Sequence, residues 1–363
     1  MKTPIYIIGG GIIGLLTAYE LVAAAEKVVV IDHQSIGQEA SWAGGGILSP
    51  LYPWRYPEPV EQLARWSQSH YQDLAETLRV ETGIDTQWIR SGLLIIDEND
   101  TDTGFNWCRT HSIVADLVDQ KGMTHLEPHV RMRSNSALNL PDVAQIRNPR
   151  FLKALVAWLR AHGVEIRENV AAKSLEVRAG ALTAIHTDSG PINVERAIVA
   201  AGAWSGALLA TAEVQVPVMP IKGQMLLLRG SAAAPFNHIL LREACYLIPR
   251  QDGRVLVGSS QEESGFDKST TESVRVMLYG KAVDLVPSLR EWQIERQWAG
   301  LRPGSPDGIP YIGSHPEIKG LYVNTGHFRN GIVLAPASAR LAADLVLGRT
   351  PFLDLRQFRI LRK

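Results

Sequence analysis

A glycine-rich turn near the start of the chain places the strongest constraint on how the protein folds. The apolar run 5–8 has the pattern of a buried strand, and Gly9, Gly11 and Gly14 follow it in a Gly-x-Gly-x-x-Gly spacing before a helix pattern. In a strand–turn–helix unit, these glycines allow a tight turn, a close backbone approach to phosphates and close packing of the helix on the strand. Since the helix N-terminus then faces a pyrophosphate, the spacing predicts a nucleotide-binding unit.

A second strand pattern supports this prediction. The run 27–32 is apolar after its first residue and ends in Asp32, about 20 residues beyond the turn, where the ribose of a dinucleotide needs a hydrogen-bond acceptor. The alternative, a glycine-rich loop without a ligand, leaves the acid at this spacing unexplained. We therefore expect a βαβ unit that binds a dinucleotide.

Composition bounds the class of protein. The chain has 363 residues, of which 45% are hydrophobic, and this is enough for two joined domains. Lysine plus arginine and aspartate plus glutamate both number 37, so the formal net charge is zero and no nucleic-acid partner is expected. Cys108 and Cys245 are the only cysteines and have no metal-ligand spacing, which predicts a reduced, cytoplasmic setting and no metal. The apolar segment 9–25 contains Glu20 and the glycine turn, so we expect a buried helix there and no transmembrane segment.

The order of the patterns predicts an α/β fold (α+β overall), in which a doubly wound, Rossmann-like domain is joined to an antiparallel-sheet domain. A helix pattern at 149–162 and a strand pattern at 196–202 return the chain to the first domain, whereas 216–298 contains mostly strand patterns. A strand pattern at 321–324 and a helix pattern at 331–347 then repeat the opening unit. The nucleotide domain is expected at 1–88, 146–215 and 299–363, and the substrate-binding domain at 89–145 and 216–298.

Four further blocks carry a resemblance to a known family. They are the small-residue run 41–47, the segment 200–205, and the blocks WAGLRPG at 298–304 and GHFRNG at 326–331. Together with the glycine turn, they resemble the flavin-dependent D-amino-acid oxidase superfamily, and within it most of all the bacterial glycine oxidases. The similarity runs nearly end to end, and the two C-terminal blocks are far more specific than the dinucleotide fingerprint.

The resemblance implies a fold and an activity. In that family a doubly wound FAD domain is joined to an antiparallel substrate domain, and the FAD is held non-covalently. The family implies hydride transfer from glycine, sarcosine or a small D-amino acid to the flavin, with hydrolysis of the imine to a 2-oxo acid and release of ammonia or an amine. Molecular oxygen would then reoxidise the flavin and give hydrogen peroxide. A role in thiazole formation for thiamine biosynthesis and a homo-oligomer, often a tetramer, are implied as well.

The resemblance also implies cofactor contacts residue by residue. The pyrophosphate is expected at residues 12–13, the adenosine ribose at 32–33, the adenine at Val170 and the isoalloxazine at 327–333. The full set of expected FAD-binding residues is Gly9, Gly11, Ile12, Ile13, Gly14, Asp32, His33, Ala40, Ser41, Gly45, Gly46, Ile47, Val170, Ala201, Gly202, His327, Phe328, Arg329, Asn330, Gly331, Ile332 and Val333.

Three side chains are expected to bind the substrate. A planar guanidinium binds a carboxylate through two parallel charge-assisted hydrogen bonds, and Arg302 resembles the family's arginine with this role. Tyr246 is expected to donate its hydroxyl to the same carboxylate, and Arg329 to contact substrate or flavin. A surface ion pair, a core tyrosine and a helix-turn salt bridge are the structural alternatives for the three residues. We assign no acid–base catalyst, because hydride transfer from a neutral amine to a flavin requires none.

Two other functions remain open from the sequence. One is a dehydrogenase of D-amino acids or secondary amines that passes its electrons to a quinone. The other is a flavin-containing binding or tRNA-modifying partner domain, which the zero net charge disfavours. Substrate size is also open, because the loop 48–56, Ala244 and Gln261 do not follow a pattern common to the family.

Overall fold

The computed structural model of the protein describes residues 3–231 and 233–362. Its strands are β1 Ile5–Ile8, β2 Val28–Ile31, β3 Ile89–Arg90, β4 Leu93–Ile95, β5 Asp116–Asp119, β6 Ser136–Leu140, β7 Ala144–Gln145, β8 Glu165–Arg167, β9 Ala172–Arg178, β10 Ala181–Thr187, β11 Gly190–Asn193, β12 Ala197–Val199, β13 Met219–Arg229, β14 Ile239–Arg242, β15 Cys245–Pro249, β16 Val255–Gly258, β17 Gln293–Gly304, β18 Tyr311–Ser314 and β19 Leu321–Thr325. Its α-helices are α1 Ile12–Ala23, α2 Ala40–Ala43, α3 Glu58–Thr82, α4 Glu98–Thr110, α5 Gln120–Leu126, α6 Asn148–Ala161, α7 Ser205–Ala210, α8 Glu272–Leu285 and α9 Gly331–Leu347. Short 3₁₀ turns occur at Pro53–Arg55, Gly202–Trp204, Pro287–Glu291, Phe328–Asn330 and Leu355–Phe358.

The first sheet has six strands in the order β18-β19-β12-β1-β2-β8. All neighbours pair in parallel except β18, which runs antiparallel to β19 at the edge. Every residue of β1 and β2 is buried, because both faces of the sheet are covered. Ile5 and Ile7 pack with α1, α6 and α9, whereas Tyr6 and Ile8 pack with residues of β9, β10 and α7. The predicted mixed α/β fold is confirmed, with the small sheet β9–β11 as an unpredicted cover on one face.

The second sheet has eight strands in the order β17-β13-β16-β15-β14-β4-β6-β5. The expectation of an antiparallel sheet is correct for six of its seven neighbouring pairs and wrong for one, since β14 runs parallel to β4. These two strands come from separate passages of the chain, so no hairpin forces them to run in opposite directions. The long pairing of β13 with β17 extends from Met219 opposite Gly304 to Arg229 opposite Gln293.

Strand β17 joins the two sheets. It runs through the predicted boundary at 298–299, so one continuous strand carries the chain from the eight-stranded sheet toward the first sheet. The two-domain division remains a proposal, with the nucleotide domain at 1–88, 146–215 and 299–363 and the substrate-binding domain at 89–145 and 216–298. Strand β17 would belong to both domains.

One segment of the described residues, Phe328–Leu347, is long and apolar enough to cross a membrane. The most apolar window of this segment is 72% buried inside the protein, and helix α9 within it packs against α1 and α3. These are the properties of a helix in the core of a folded domain.

Candidate functional site

A cavity of about 680 Å³ opens where the strands of the first sheet end. Its wall includes Ile8 and Ile31 at the carboxyl ends of β1 and β2, and Asn324 and Thr325 at that of β19. Open α/β sheets bind their ligands at this edge. Residues of the eight-stranded sheet close the opposite side of the cavity, so both sheets contribute to one site.

The cavity brings the predicted site residues together. Every expected cofactor or substrate residue lies on its wall except Gly14, which packs beneath the turn instead. Sequence reasoning did not identify several further lining residues, among them Glu39, Ser49, Leu51, Asp188 and Ser259.

The glycine turn forms a cradle that any larger side chain would fill. Gly9 has a φ of +115°, and a Cβ there would lie 2.3 Å from the Ala200 carbonyl oxygen. A Cβ on Gly14 would lie 1.9 Å from the Gly9 carbonyl oxygen, so α1 can approach β1 only without one. The backbone N–H of Ile12 donates to Ser41 Oγ at 2.9 Å, at the helix N-terminus. Ser41 therefore fixes the position of this N-terminus within the cradle.

Asp32 supports the same cradle. Its Oδ2 accepts a hydrogen bond from the Gly10 N–H at 2.7 Å, and its Oδ1 accepts one from the Gln34 N–H at 3.1 Å. Burial raises the pKa of Asp32, while the two backbone N–H donors oppose that rise. The carboxylate therefore holds the shape of the glycine turn in addition to facing the cavity, a second task that its spacing did not reveal.

At the other end of the cavity, Arg302 on β17 lies flat against Gly223 on β13. A Cβ on Gly223 would come within 2.1–2.3 Å of the guanidinium atoms, so glycine is required for this packing. Arg302 Nη2 donates to Ser259 Oγ at 2.6 Å, and Nη1 donates to the Ser260 carbonyl oxygen at 3.2 Å. Burial lowers the pKa of Arg302, and nearby Tyr246 opposes this effect.

Two guanidinium groups face the cavity without an acidic partner. Among the described residues, no carboxylate forms a salt bridge with Arg302 or Arg329, although both line the wall. Tyr246 also lines it, and its hydroxyl donates to Met225 Sδ at 3.3 Å. Both arginines are half-buried, and a positive charge that is partly removed from water is stabilised by an anionic partner, so this end of the cavity favours an anionic ligand.

His327 lines the cavity and is held inside the protein. The side chain is buried, its Nε2 shares a hydrogen bond of 3.0 Å with Ser338 Oγ, and burial lowers its pKa to about 3. The imidazole is therefore neutral across the physiological pH range. This environment agrees with the absence of an acid–base assignment for His327.

One face of β15 positions the small-residue loop at 44–46. Tyr246, Ile248 and Arg250 alternate along the strand direction, and a Cβ on Gly45 would lie 3.0 Å from atoms of Tyr246 and Ile248. Arg250 Nη2 donates to the Gly45 carbonyl oxygen at 2.6 Å, and its Nη1 donates to Gln145 Oε1 at 2.8 Å. Burial lowers the pKa of Arg250 to about 10. The period of two in the strand pattern is the signal that would have found Arg250.

The two cysteines lie outside the cavity wall, whereas the loop 48–56 contributes Ser49 and Leu51 to it. Cys108 and Cys245 are buried and free, burial raises their pKa values to about 11 and about 12, and neither lines the cavity. The loop 48–56 is held to α4, because Trp54 Nε1 donates to Asp100 Oδ1 at 2.9 Å and Arg55 pairs with the same carboxylate. No cluster of histidine, cysteine or acidic residues with the makings of a metal site occurs in the described ranges.

Comparison with known families identifies which dinucleotide the protein binds. A family model described as FAD dependent oxidoreductase (DAO) matches residues 5–345. The chain belongs to this family. The resemblance to D-amino-acid oxidases is thereby confirmed, and the cofactor is FAD. The cradle formed by Gly9, Gly14 and Asp32 fits the ADP half of this cofactor, and the absence of cysteine from the wall fits non-covalent binding.

Curated relatives of this FAD-dependent family point to the same chemistry. The chain is 42% identical to the glycine oxidases of Pseudomonas aeruginosa and Pseudomonas putida, over 98% of this chain and 97% of each relative. It is 33% identical to the bifunctional protein ThiO/ThiG of Synechocystis over 95% of this chain and 52% of that protein.

Solved structures agree. The fold matches the crystal structure of glycine oxidase from Geobacillus kaustophilus with a TM-score of 0.95 at 27% identity, over 100% of both chains. The corresponding match to glycine oxidase from Bacillus cereus has a TM-score of 0.92 at 29% identity and covers 100% of this chain and 99% of that one. The protein is therefore an FAD-dependent amine oxidase.

Proposed function

We propose that the protein oxidises glycine and other small amino acids, with sarcosine and small D-amino acids among its substrates. The products are an imine that hydrolyses to a 2-oxo acid, ammonia or an amine, and hydrogen peroxide from molecular oxygen. One observation carries this proposal. Arg302 and Arg329 both lie on the cavity wall, and neither forms a salt bridge with a carboxylate of the described residues. The names of the curated relatives support the same substrate class.

Arg302 is suited to hold a carboxylate. Two of its five N–H donors are already used on Ser259 and Ser260, which leaves three for a ligand. The Arg302 guanidinium is half-buried, and a bound carboxylate compensates it for the water contacts that it has lost. Since the guanidinium lies flat against Gly223, its position is fixed, and a bound substrate keeps its reacting carbon in one place.

The site residues bind and orient rather than transfer protons. Bound FAD supplies the hydride acceptor, so the protein must provide binding, orientation and exclusion of water. His327 has a pKa of about 3, and the acidic residues on the wall, Asp32, Glu39 and Asp188, belong to its nucleotide end. We therefore propose that the substrate amine enters in its neutral form and that no side chain acts as an acid or base.

A substrate panel tests the proposed reaction. Purified holoenzyme is mixed with glycine, sarcosine, small D-amino acids and methylamine, and both peroxide release and bleaching of the flavin are recorded. We expect turnover of the amino acids and none of methylamine, which lacks the carboxylate. The proposal would be refuted if none of these amino acids was turned over. If the substrate bleaches the flavin quickly, but the flavin is reoxidised slowly by air and rapidly by a quinone analogue, the electron acceptor is a quinone rather than oxygen.

The Arg302→Ala variant tests the role of the residue. We expect a loss of roughly 100-fold or more in kcat/KM, because charge-assisted bidentate contacts are lost, while the FAD content stays at one per chain. Equal kinetics in the variant and in the unaltered protein would remove Arg302 from the site.

The remaining expectations are also kept as proposals. The relatives named ThiO/ThiG support a role in thiamine biosynthesis, where deletion of the gene is expected to create a requirement for the thiazole precursor. We also propose a cytoplasmic location and a homo-oligomer, for which fractionation and light scattering are the direct measurements.

A further inference from the structure

Two consecutive serines hold the guanidinium of Arg302. They follow directly after β16, and Arg302 Nη2 donates to the side-chain hydroxyl of Ser259 at 2.6 Å while Nη1 donates to the carbonyl oxygen of Ser260 at 3.2 Å. Ser259 lies on the cavity wall together with Arg302. Within the described ranges, the hydroxyl of Ser259 has its one side-chain hydrogen bond with this arginine.

The second serine is itself fixed by a buried polar network. Ser260 Oγ accepts a hydrogen bond from the Gln224 N–H at 2.9 Å and donates to Glu262. Glu262 in turn pairs with Lys222, whose Nζ lies 3.4 Å from Glu262 Oε2. Gln224, Lys222 and Ser260 are all buried. The network therefore fixes the position of Ser260, which contacts Arg302 through its backbone. Only the contact from Ser259 is made by a side chain, so a substitution can remove it.

Both acceptors on Arg302 are neutral oxygens. A neutral acceptor orients a guanidinium but leaves its positive charge available, whereas a carboxylate would orient it and neutralise it as well. Glu262, two residues after Ser260, pairs with Lys222 rather than with Arg302, and Lys222 also pairs with Asp267. The arrangement thus fixes the direction of Arg302 and keeps its charge for a ligand.

We propose that Ser259 is a positioning residue, which orients Arg302 toward the substrate carboxylate. The site thereby selects amines that carry a carboxylate. This inference rests on the proposed function and adds a specificity-determining residue to it. A hydrogen bond to a charged group has an effect that corresponds to roughly a 10-fold to 100-fold change in binding. We expect Ser259→Ala to weaken carboxylate binding by this factor, with kcat changed by less than about 3-fold.

The test uses the holoenzyme with Ser259→Ala, Ser259→Thr and Ser259→Asp. Steady-state KM and kcat for glycine give one measurement. The second is the dissociation constant of acetate, which has a carboxylate but no amine, measured from the change in the visible flavin spectrum. Ser273→Ala, at an exposed position of α8, is the matched control and should behave like the unaltered protein.

The expected order of acetate affinity is unaltered protein and Ser259→Thr, then Ser259→Ala, then Ser259→Asp. Threonine keeps the hydroxyl and should restore binding to within a few-fold, whereas aspartate neutralises the arginine and should weaken binding most. Unchanged KM and acetate affinity in Ser259→Ala would overturn the proposal, and so would equal weakening by alanine and threonine. Because acetate binding requires no turnover, a protein that fails to oxidise glycine can still support or overturn the role of Ser259.

Discussion

Replacement of Gly223 by alanine is the most direct way to displace Arg302 without altering the arginine itself. Gly223 pairs with Gly300 in the β13–β17 ladder and has no left-handed backbone angle, so alanine suits the backbone. The new Cβ would lie 2.1 Å from Arg302 Nη1, 2.2 Å from Nη2 and 2.3 Å from Cζ. The clash involves the far end of a long side chain, and we therefore expect the guanidinium to move rather than the strand.

The size of the effect follows from these distances. Ordinary contact with a Cβ begins at 3.4 Å, so even the most distant of the three atoms must retreat by 3.4 − 2.3 = 1.1 Å. A misplacement of about 1 Å in a substrate-positioning group costs roughly 100-fold in rate. We expect Gly223→Ala to lower kcat/KM for glycine by about this factor, mainly through KM, and to retain FAD.

Steady-state kinetics, flavin content and thermal melting of the variant check this expectation. Gly280→Ala is the control, because Gly280 lies on the exposed face of α8 in the same sheet domain and a Cβ there meets no atom within 4 Å. The control should retain full activity and gain slightly in stability, since alanine favours a helix over glycine. A Gly223→Ala enzyme with unchanged KM would show that the position of the guanidinium does not determine substrate binding.

Three further perturbations address the rest of the site. Gly14→Ala should yield protein without flavin, because its Cβ would lie 1.9 Å from the Gly9 carbonyl oxygen, and retention of FAD in a fluorescence titration would contradict this. Arg250→Met removes the hydrogen bond to the Gly45 carbonyl and should weaken FAD binding by roughly 10-fold in the same titration, with unaltered affinity as the contrary result. His327 has a folded pKa of about 3 and an ordinary pKa of 6.5, so below pH 6.5 only the unfolded chain takes up this proton. As the pH falls below 6.5, His327 should therefore lower the free energy of unfolding by up to roughly 1.4 kcal/mol per pH unit. In urea unfolding between about pH 7 and pH 5, His327→Gln should show a shallower fall, and an equal fall in both proteins would contradict this.

The parts of the fold that the sequence predicts are those with local signals. The opening glycine turn, the acid at Asp32 and the final helix α9 all arise from patterns within about 20 residues, and the structure contains each of them. The sheet β9–β11 and the parallel pairing of β14 with β4 depend on long-range pairing, which no local pattern reveals.

The same distinction applies to the site. Motif resemblance identified Arg302, Tyr246 and Arg329, and the structure gathers all three on one wall. The groups that fix Arg302 were not predicted, because Gly223 and Ser259 lie on other strands or segments and meet the arginine only after β13 has paired with β17 and β16. A glycine inside a strand signals a close approach of another group, but the sequence does not say which group approaches.

The contact of β15 with Gly45 means that the two sheets cannot be exchanged as independent modules. A strand of the eight-stranded sheet packs Tyr246 and Ile248 against the loop that lines the cofactor cavity, and Arg250 donates a hydrogen bond to a carbonyl oxygen of that loop. A chimera that took its eight-stranded sheet from a distant relative would therefore lose the fit around its own cofactor unless the loop 44–46 was transplanted with it. We therefore expect mutations in this part of the eight-stranded sheet to change how the flavin is held.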